Sequence, residues 1–332
     1  MAFALYLCLT LLWAENVGED GPLYYLRRPI YLFVFLGLTI ELVDKYPNFV
    51  DRLFVFLCWA GAITAIISIL SYYPSVFVKS KRLSHFADQL HNPIECGAVY
   101  GTMVLVVNFG ILKIKALKHK WIYVALMAIL LLCVVLTQSR GPLGALIIAC
   151  LGGFVLSRDK KVLGAPVLLI FILGLLTLAG DGRFGSRILD KGWSHRLELA
   201  EETLHSARGS FIFGKGISTD THFTLKDGKT RADGHNAYLG TVLYGGLVGL
   251  LLLLALIAVA VGQSLRYFLS TRNVTYFAVL LFALISITTG EDKLTTHPDS
   301  LWIVFWLPLA LLAGKQVVGT NKQARQAESI WR

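Results

Sequence analysis

Apolar residues fall along this chain in blocks, with the polar residues gathered between blocks rather than interleaved at amphipathic spacing. Continuous apolar runs are what a helix needs when every face meets lipid or another helix. Ten such blocks stand out, over residues 2–14, 30–43, 53–70, 93–112, 121–137, 142–156, 162–179, 236–261, 273–289 and 300–313. A bilayer core takes about 20 residues of helix, so the first two and the last are short and borrow flanking residues or form partial spans. The pattern predicts an all-α polytopic membrane protein of about ten transmembrane helices. Residues 1–332 then form a single domain, in which 181–235 is one long loop between seven spans and three. No repeat of 20–50 residues recurs, and no inverted pair of halves is visible.

Composition agrees. The 332 residues are 55% hydrophobic and only 16% charged, with a mean hydropathy of +0.64. A soluble domain carries about a quarter charged residues to cover its surface. Soluble, disordered, collagenous and coiled-coil classes are therefore excluded. The net charge of +10 would invite a nucleic-acid reading in a soluble protein. In a membrane chain it reflects basic residues held in cytoplasmic loops, and no nucleic-acid partner is expected. The five cysteines, Cys8, Cys58, Cys96, Cys133 and Cys150, all lie inside apolar runs, and no CxxC occurs. Neither a disulfide framework nor a zinc site is indicated. No Lys or Arg precedes the first apolar block and no small-residue cleavage site follows it, so no cleavable signal is read there.

Basic residues also set the orientation. The loops 44–52, 113–120, 157–161 and 262–272 and the tail 315–332 hold fifteen Lys and Arg, including Lys113, Lys115, Lys118 and Lys120. The long loop 181–235 holds nine more, but long loops cross the membrane regardless of charge. The positive-inside rule therefore puts both termini in the cytoplasm. The turn 138–141, the loop 181–235 and the loop 290–299 then share the outer face. Nucleoside triphosphates are absent there, so an activated substrate has to arrive already energised on a lipid carrier.

Several residues at that face carry chemistry. Arg140 ends the run Thr137-Gln138-Ser139-Arg140, between two spans almost in contact. An arginine at such depth costs up to roughly 2.5–3.5 kcal/mol at the membrane centre and less near the interface. It either snorkels to headgroups or clamps phosphate through its planar fork. Trp193, Leu197, Ala200, Leu204 and Ala207 recur at helical spacing, and Ser194 is suited to cap the helix. They predict an amphipathic helix of about four turns lying in the outer interface. Arg196 flanks its apolar stripe, either solvated or turned toward the headgroups. Gly214 and Gly216, in Phe213-Gly214-Lys215-Gly216, permit a tight turn; so short a glycine pair is a weak sign of a phosphate cradle. Arg231 and Asn236 bracket His235, which stands where the loop enters a long span. Imidazole is the side chain best matched to proton transfer near neutral pH. The acidic pairs Glu19-Asp20 and Glu291-Asp292 read as headgroup-facing loop residues rather than metal ligands, so no metal and no cofactor are expected.

Taken in order, Thr137-Gln138-Ser139-Arg140-Gly141, Ser194-His195-Arg196, Phe213-Gly214-Lys215-Gly216 and His235-Asn236-Ala237-Tyr238-Leu239 with Gly245-Gly246-Leu247-Val248-Gly249 form a pattern. It resembles that of the O-antigen ligase/polymerase superfamily of bacterial inner-membrane glycosyltransferases, over about residues 90–315. The resemblance implies a metal-independent, inverting enzyme acting at the periplasmic face, with 181–235 as its catalytic loop. It implies an undecaprenyl diphosphate-linked glycan donor and a lipid A–core acceptor, in contact with membrane lipids. Arg140 and Arg196 would bind the diphosphate, and His235 would take the proton of the attacking hydroxyl. Asn236, Arg231, Gly214 and Gly216 would support them. A polymerase of the same superfamily and a protein O-oligosaccharyltransferase share these motifs. A lipid-linked glycan transporter fits less well, because polar residues gather at one face instead of mid-span. Ligases of this kind carry more spans than the ten counted here, and the difference would fall at the N-terminal end.

Overall fold

The computed structural model describes residues 1–14, 21–73, 81–84, 92–114, 118–179, 194–225, 228, 230–231, 234–290, 292–295 and 297–316. Every one of the ten apolar blocks is helical: α1 (Ala2–Leu9, extended by a 3-10 turn to Trp13), α2 (Gly21–Lys45), α3 (Phe49–Tyr73), α4 (Pro93–Leu105), α5 (Lys120–Leu136), α6 (Arg140–Ser157), α7 (Gly164–Ala179), α9 (Ala237–Thr271), α10 (Thr275–Ser286) and α11 (Trp302–Gln316). Between α7 and α9 lie the helix α8 (Ser194–Ala207) and a two-stranded hairpin, β1 (Phe223–Thr224) and β2 (Thr230–Arg231). Four helical stretches among the described residues are long and apolar enough to cross a membrane: Phe49–Tyr72, Pro93–Lys113, Arg140–Ser157 and Ala237–Thr271. The chain is a multi-pass membrane protein whose described residues are predominantly helical.

Its residues group into two compact units. One comprises Gly37–Asp190, Val261–Ser286 and Asp299–Arg332. Its centre is α4, buried without interruption from Cys96 to Leu105. Asn92 caps that helix, its Oδ1 accepting the Ile94 amide at 3.0 Å, and Pro93 takes the first-turn position where an amide is not needed. Small residues let neighbours come close, as membrane helices require when lipid offers no hydrophobic drive for association. The Phe282 ring lies over Gly101 and the Met103 thioether over Gly61. A π-helical turn over Val106–Gly110 ends α4, and Asn108 within it donates to the Val162 carbonyl at 2.8 Å.

The other unit comprises Met1–Leu36, Lys191–Ala260 and Ile287–Pro298. Its organising feature is a break in α9 at Gly246, whose φ of 63° and ψ of −164° belong to a region that essentially only glycine adopts. The break frees two carbonyls, of Leu243 and Tyr244, and two amides, of Leu247 and Val248. The segment Phe211–Gly216 answers all four. Lys215 and Gly216 donate to Leu243 and Tyr244 at 2.9 and 3.0 Å, while Leu247 and Val248 donate to Phe211 and Ile212 at 2.8 and 3.2 Å. In a bilayer each group left open costs several kcal/mol, so the inserted segment completes the helix. α1 straps it in place. The Tyr6 hydroxyl lies 3.1 Å from the Phe213 carbonyl and 2.9 Å from that of Gly245, and Trp13 Nε1 donates to Gly214 at 3.1 Å.

Helix α8 forms over 14 residues, the length its periodicity predicts, but it has two apolar faces. Leu199 and Ala207 dock onto Ile217, Phe223, Leu225, Val242, Leu243 and Tyr244, and Thr203 between them is buried as well. Leu197 and Leu204, the expected stripe, remain 65% and 45% exposed on the adjacent face. Trp193 lies outside the described residues.

Candidate functional site

In the first unit, three residues separate α5 from α6, and Arg140 is the first residue of α6, half-buried. Gln138 turns the chain with a left-handed φ of 49°. Ser139 precedes the helix without capping it by its side chain, because its hydroxyl is used elsewhere. It donates to the Pro93 carbonyl at 3.0 Å and accepts from Arg82 Nη2 at 2.6 Å. Arg82 Nε also donates to the Thr137 carbonyl at 2.9 Å, and the Leu83 amide to that of Leu136 at 2.9 Å. A second guanidinium thus pins the turn that starts Arg140's helix. Sequence reading passed over Arg82; its only signal is the basic run Lys79, Lys81, Arg82 between α3 and α4. Glu95 occupies the first turn of α4, with Ser300 donating to it at 3.4 Å.

Hydrogen bonds to a charged group contribute about 1.5–3 kcal/mol. Arg82→Ala is expected to lower the thermal unfolding midpoint of the purified protein and to reduce whatever activity depends on Arg140. A midpoint and activity both equal to wild type would show that the Arg82 contacts do not hold the turn.

In the second unit, His235 sits at the start of α9 with a left-handed φ of 47°. Asn236 caps the helix, its Oδ1 accepting the Tyr238 and Leu239 amides at 3.0 and 3.1 Å. The Ala237 amide donates to the Ile287 carbonyl at 3.0 Å. Asp292 secures the other side of the turn. It is 6% exposed, and its Oδ2 accepts from the Gly234 amide at 3.3 Å and from the Tyr244 hydroxyl at 3.2 Å. Tyr244 in turn shares a 2.9 Å hydrogen bond with Thr221. The expectation that Glu291-Asp292 faces headgroups fails for Asp292, because a buried carboxylate needs such partners. Glu291, Glu19 and Asp20 lie outside the described residues. So near is this segment that a Cβ on Gly240 would run into the Asp292 carbonyl. Thr203 of α8 lies directly against Gly234, so the helix that carries Arg196 packs on the turn that carries His235.

Arg196 itself, in the first turn of α8, is exposed. Arg231, also exposed, pairs with Phe223 in the hairpin. Gly214 and Gly216 have φ of 76° and 95° and are buried against the Tyr244–Gly245 backbone and against Thr10 and Ala14. Their segment's amides bond helix carbonyls, so here the glycine pair serves the break in α9. Among the described residues no three His, Cys, Asp or Glu side chains gather as a metal site.

The stretch that holds Arg140, Arg196, the glycine pair and the His235 turn is also the stretch that known proteins share. The family model for O-antigen ligases matches residues 125–254. Over these residues the chain is similar to O-antigen ligases. An O-antigen ligase of Pseudomonas aeruginosa (strain PAO1) is 28% identical over 335 aligned residues, covering 99% of this chain and 80% of that protein. No solved structure matches.

Proposed function

We propose that the chain transfers an O-antigen-type glycan from undecaprenyl diphosphate to a sugar hydroxyl of lipid A–core. The transfer takes place at the periplasmic face of the bacterial inner membrane, with both termini in the cytoplasm. The observation that carries the reading is the His235 turn. An imidazole is held in a left-handed backbone conformation between a capped helix and a buried carboxylate, and backbone outliers so over-determined cluster at active sites.

Displacing a diphosphate from an anomeric carbon builds negative charge on the leaving group. Preorganised guanidinium groups in a water-poor site stabilise such charge strongly, and Arg140 and Arg196 are the cations assigned to it. His235 accepts the proton of the attacking hydroxyl as the new glycosidic bond forms and the anomeric C–O bond to diphosphate breaks. Direct displacement inverts the anomeric centre. The reaction as written needs no metal and no cofactor.

Ligase and polymerase activities differ in what accumulates when they are lost. Deleting the gene is expected to leave carrier-linked polymer and bare lipid A–core. Core bearing single repeat units would instead mean that the chain is a polymerase, and unchanged lipopolysaccharide would overturn both.

A further inference from the structure

The first turns of α2 carry a cluster that the transfer reaction does not use. Arg28 is only 7% exposed, and its Nε is enclosed with no hydrogen-bond partner among the described residues. Its guanidinium stacks on two rings, 3.9 Å from the centroid of Tyr24 and 4.5 Å from that of Tyr25. Rings attract a cation but accept its five N–H groups poorly. Two more cations share these rings: Arg27 lies 5.3 Å from Tyr24, and Lys293 lies 5.2 Å from Tyr25 and 4.4 Å from Tyr244. The neighbouring carboxylate, Asp292, already accepts from the Gly234 amide and the Tyr244 hydroxyl through Oδ2. A buried guanidinium N–H without an acceptor is costly, and an anion arriving from outside would supply one to Nε.

The same helix indicates what carries that anion. Leu23, Leu26 and Ile30 stand three and four residues apart on one face of α2 and are 77%, 46% and 55% exposed. Leu23 and Leu26 precede the apolar block 30–43, which Ile30 opens. A cationic pocket beside an apolar helix face fits a phosphate on a hydrophobic tail, because the guanidinium fork matches phosphate oxygens and the tail can follow the leucines.

We propose that Arg28, with Lys293 and Arg27 and framed by Tyr24 and Tyr25, binds the phosphate group of a membrane amphiphile, at a site separate from the residues assigned to transfer. Two sources share that chemistry: a polyprenyl phosphate and a phospholipid headgroup. The site stands on its cation–ring geometry alone, so a binding assay can refute it while the transferase reading survives.

The test uses the full chain in detergent, with binding read by native mass spectrometry for three probes: undecaprenyl phosphate, phosphatidylglycerol and phosphate-free undecaprenol. Arg28→Gln and Lys293→Gln are each expected to weaken phosphate-probe binding by about tenfold or more, leaving undecaprenol unaffected. Loss confined to undecaprenyl phosphate assigns the site to polyprenyl carriers. Loss confined to phosphatidylglycerol assigns it to phospholipid headgroups, and loss of both supports the shared phosphate. Unchanged affinity for both phosphate probes overturns the site. Should Arg28→Gln fail to fold, by elution profile and unfolding midpoint, Lys293→Gln at a half-buried position decides the outcome alone.

Discussion

Replacing His235 with alanine is expected to lower the rate of glycan transfer in reconstituted membranes by roughly 10²–10⁴-fold, the usual contribution of a positioned general base. The protein is expected to remain folded, because the turn is held by other groups. Asn236 caps α9, the Ala237 amide bonds the Ile287 carbonyl, and Asp292 holds the Gly234 amide. The left-handed φ of 47° calls for a control. An L-residue there costs roughly 1–2 kcal/mol, which asparagine bears more easily than alanine. His235→Asn therefore keeps the backbone and removes the base. If the imidazole does the chemistry, both variants lose transfer alike and differ only in stability. Transfer by His235→Asn at near wild-type rate would show instead that the position matters for its backbone, and the general-base assignment would fall.

Much of this architecture is legible in the sequence, and the reason is the solvent. A helix in lipid satisfies its own backbone groups, so a continuous apolar run is nearly sufficient to specify one. All ten apolar blocks are accordingly helical. Their ends are less legible. α2 begins at Gly21, well before the apolar block at 30, since Tyr24, Tyr25, Arg27 and Arg28 stack on one another where apolar contact is lacking. α9 runs on to Thr271, past the block's end at 261. Periodicity finds α8 and places Leu197 and Leu204 on its exposed stripe, but it puts Ala207 on that stripe too, whereas Ala207 is buried with Leu199 and Thr203, which the stripe leaves out. Of the site, His235 and Arg140 are conspicuous because charged or titratable groups beside spans are expensive. Asp292 and Arg82 are not, for their significance rests on partners 58 and 55–57 residues away in sequence.

The break in α9 is the least legible feature and the most sensitive to substitution. Gly245-Gly246 in an apolar run reads as a tolerated pair in a continuous helix. Gly246→Ala is expected to be the most destabilising of the changes considered, by about 4 kcal/mol or more. The backbone conformation alone accounts for about 1–3 kcal/mol in any residue with a Cβ. The rest comes from contact, because that Cβ would run into the carbonyl of Ile212 and lie 2.5 Å from the Gly214 amide nitrogen. Neither neighbour is a flexible side chain. Withdrawing them breaks the bonds from Leu247 to Phe211 and from Val248 to Ile212 and reopens backbone groups at membrane depth. Two glycines of the same helix serve as controls. At Gly249 the nearest atoms to an added Cβ lie 3.4 Å away or more, and at Gly262 nothing lies within 4 Å. Gly262→Ala should be neutral or stabilise by up to about 1 kcal/mol through helix propensity. The comparison is of membrane-inserted protein level and unfolding midpoint across the three variants. Gly246→Ala accumulating and unfolding like Gly262→Ala would mean that α9 does not need its break. The functional consequence follows from connectivity: the inserted segment joins α8, which carries Arg196, to the short helical piece whose first residues follow His235. Loss of transfer in Gly246→Ala should therefore exceed the loss of folded protein, since residual protein that closes α9 into a straight helix releases the segment holding α8 beside the His235 turn.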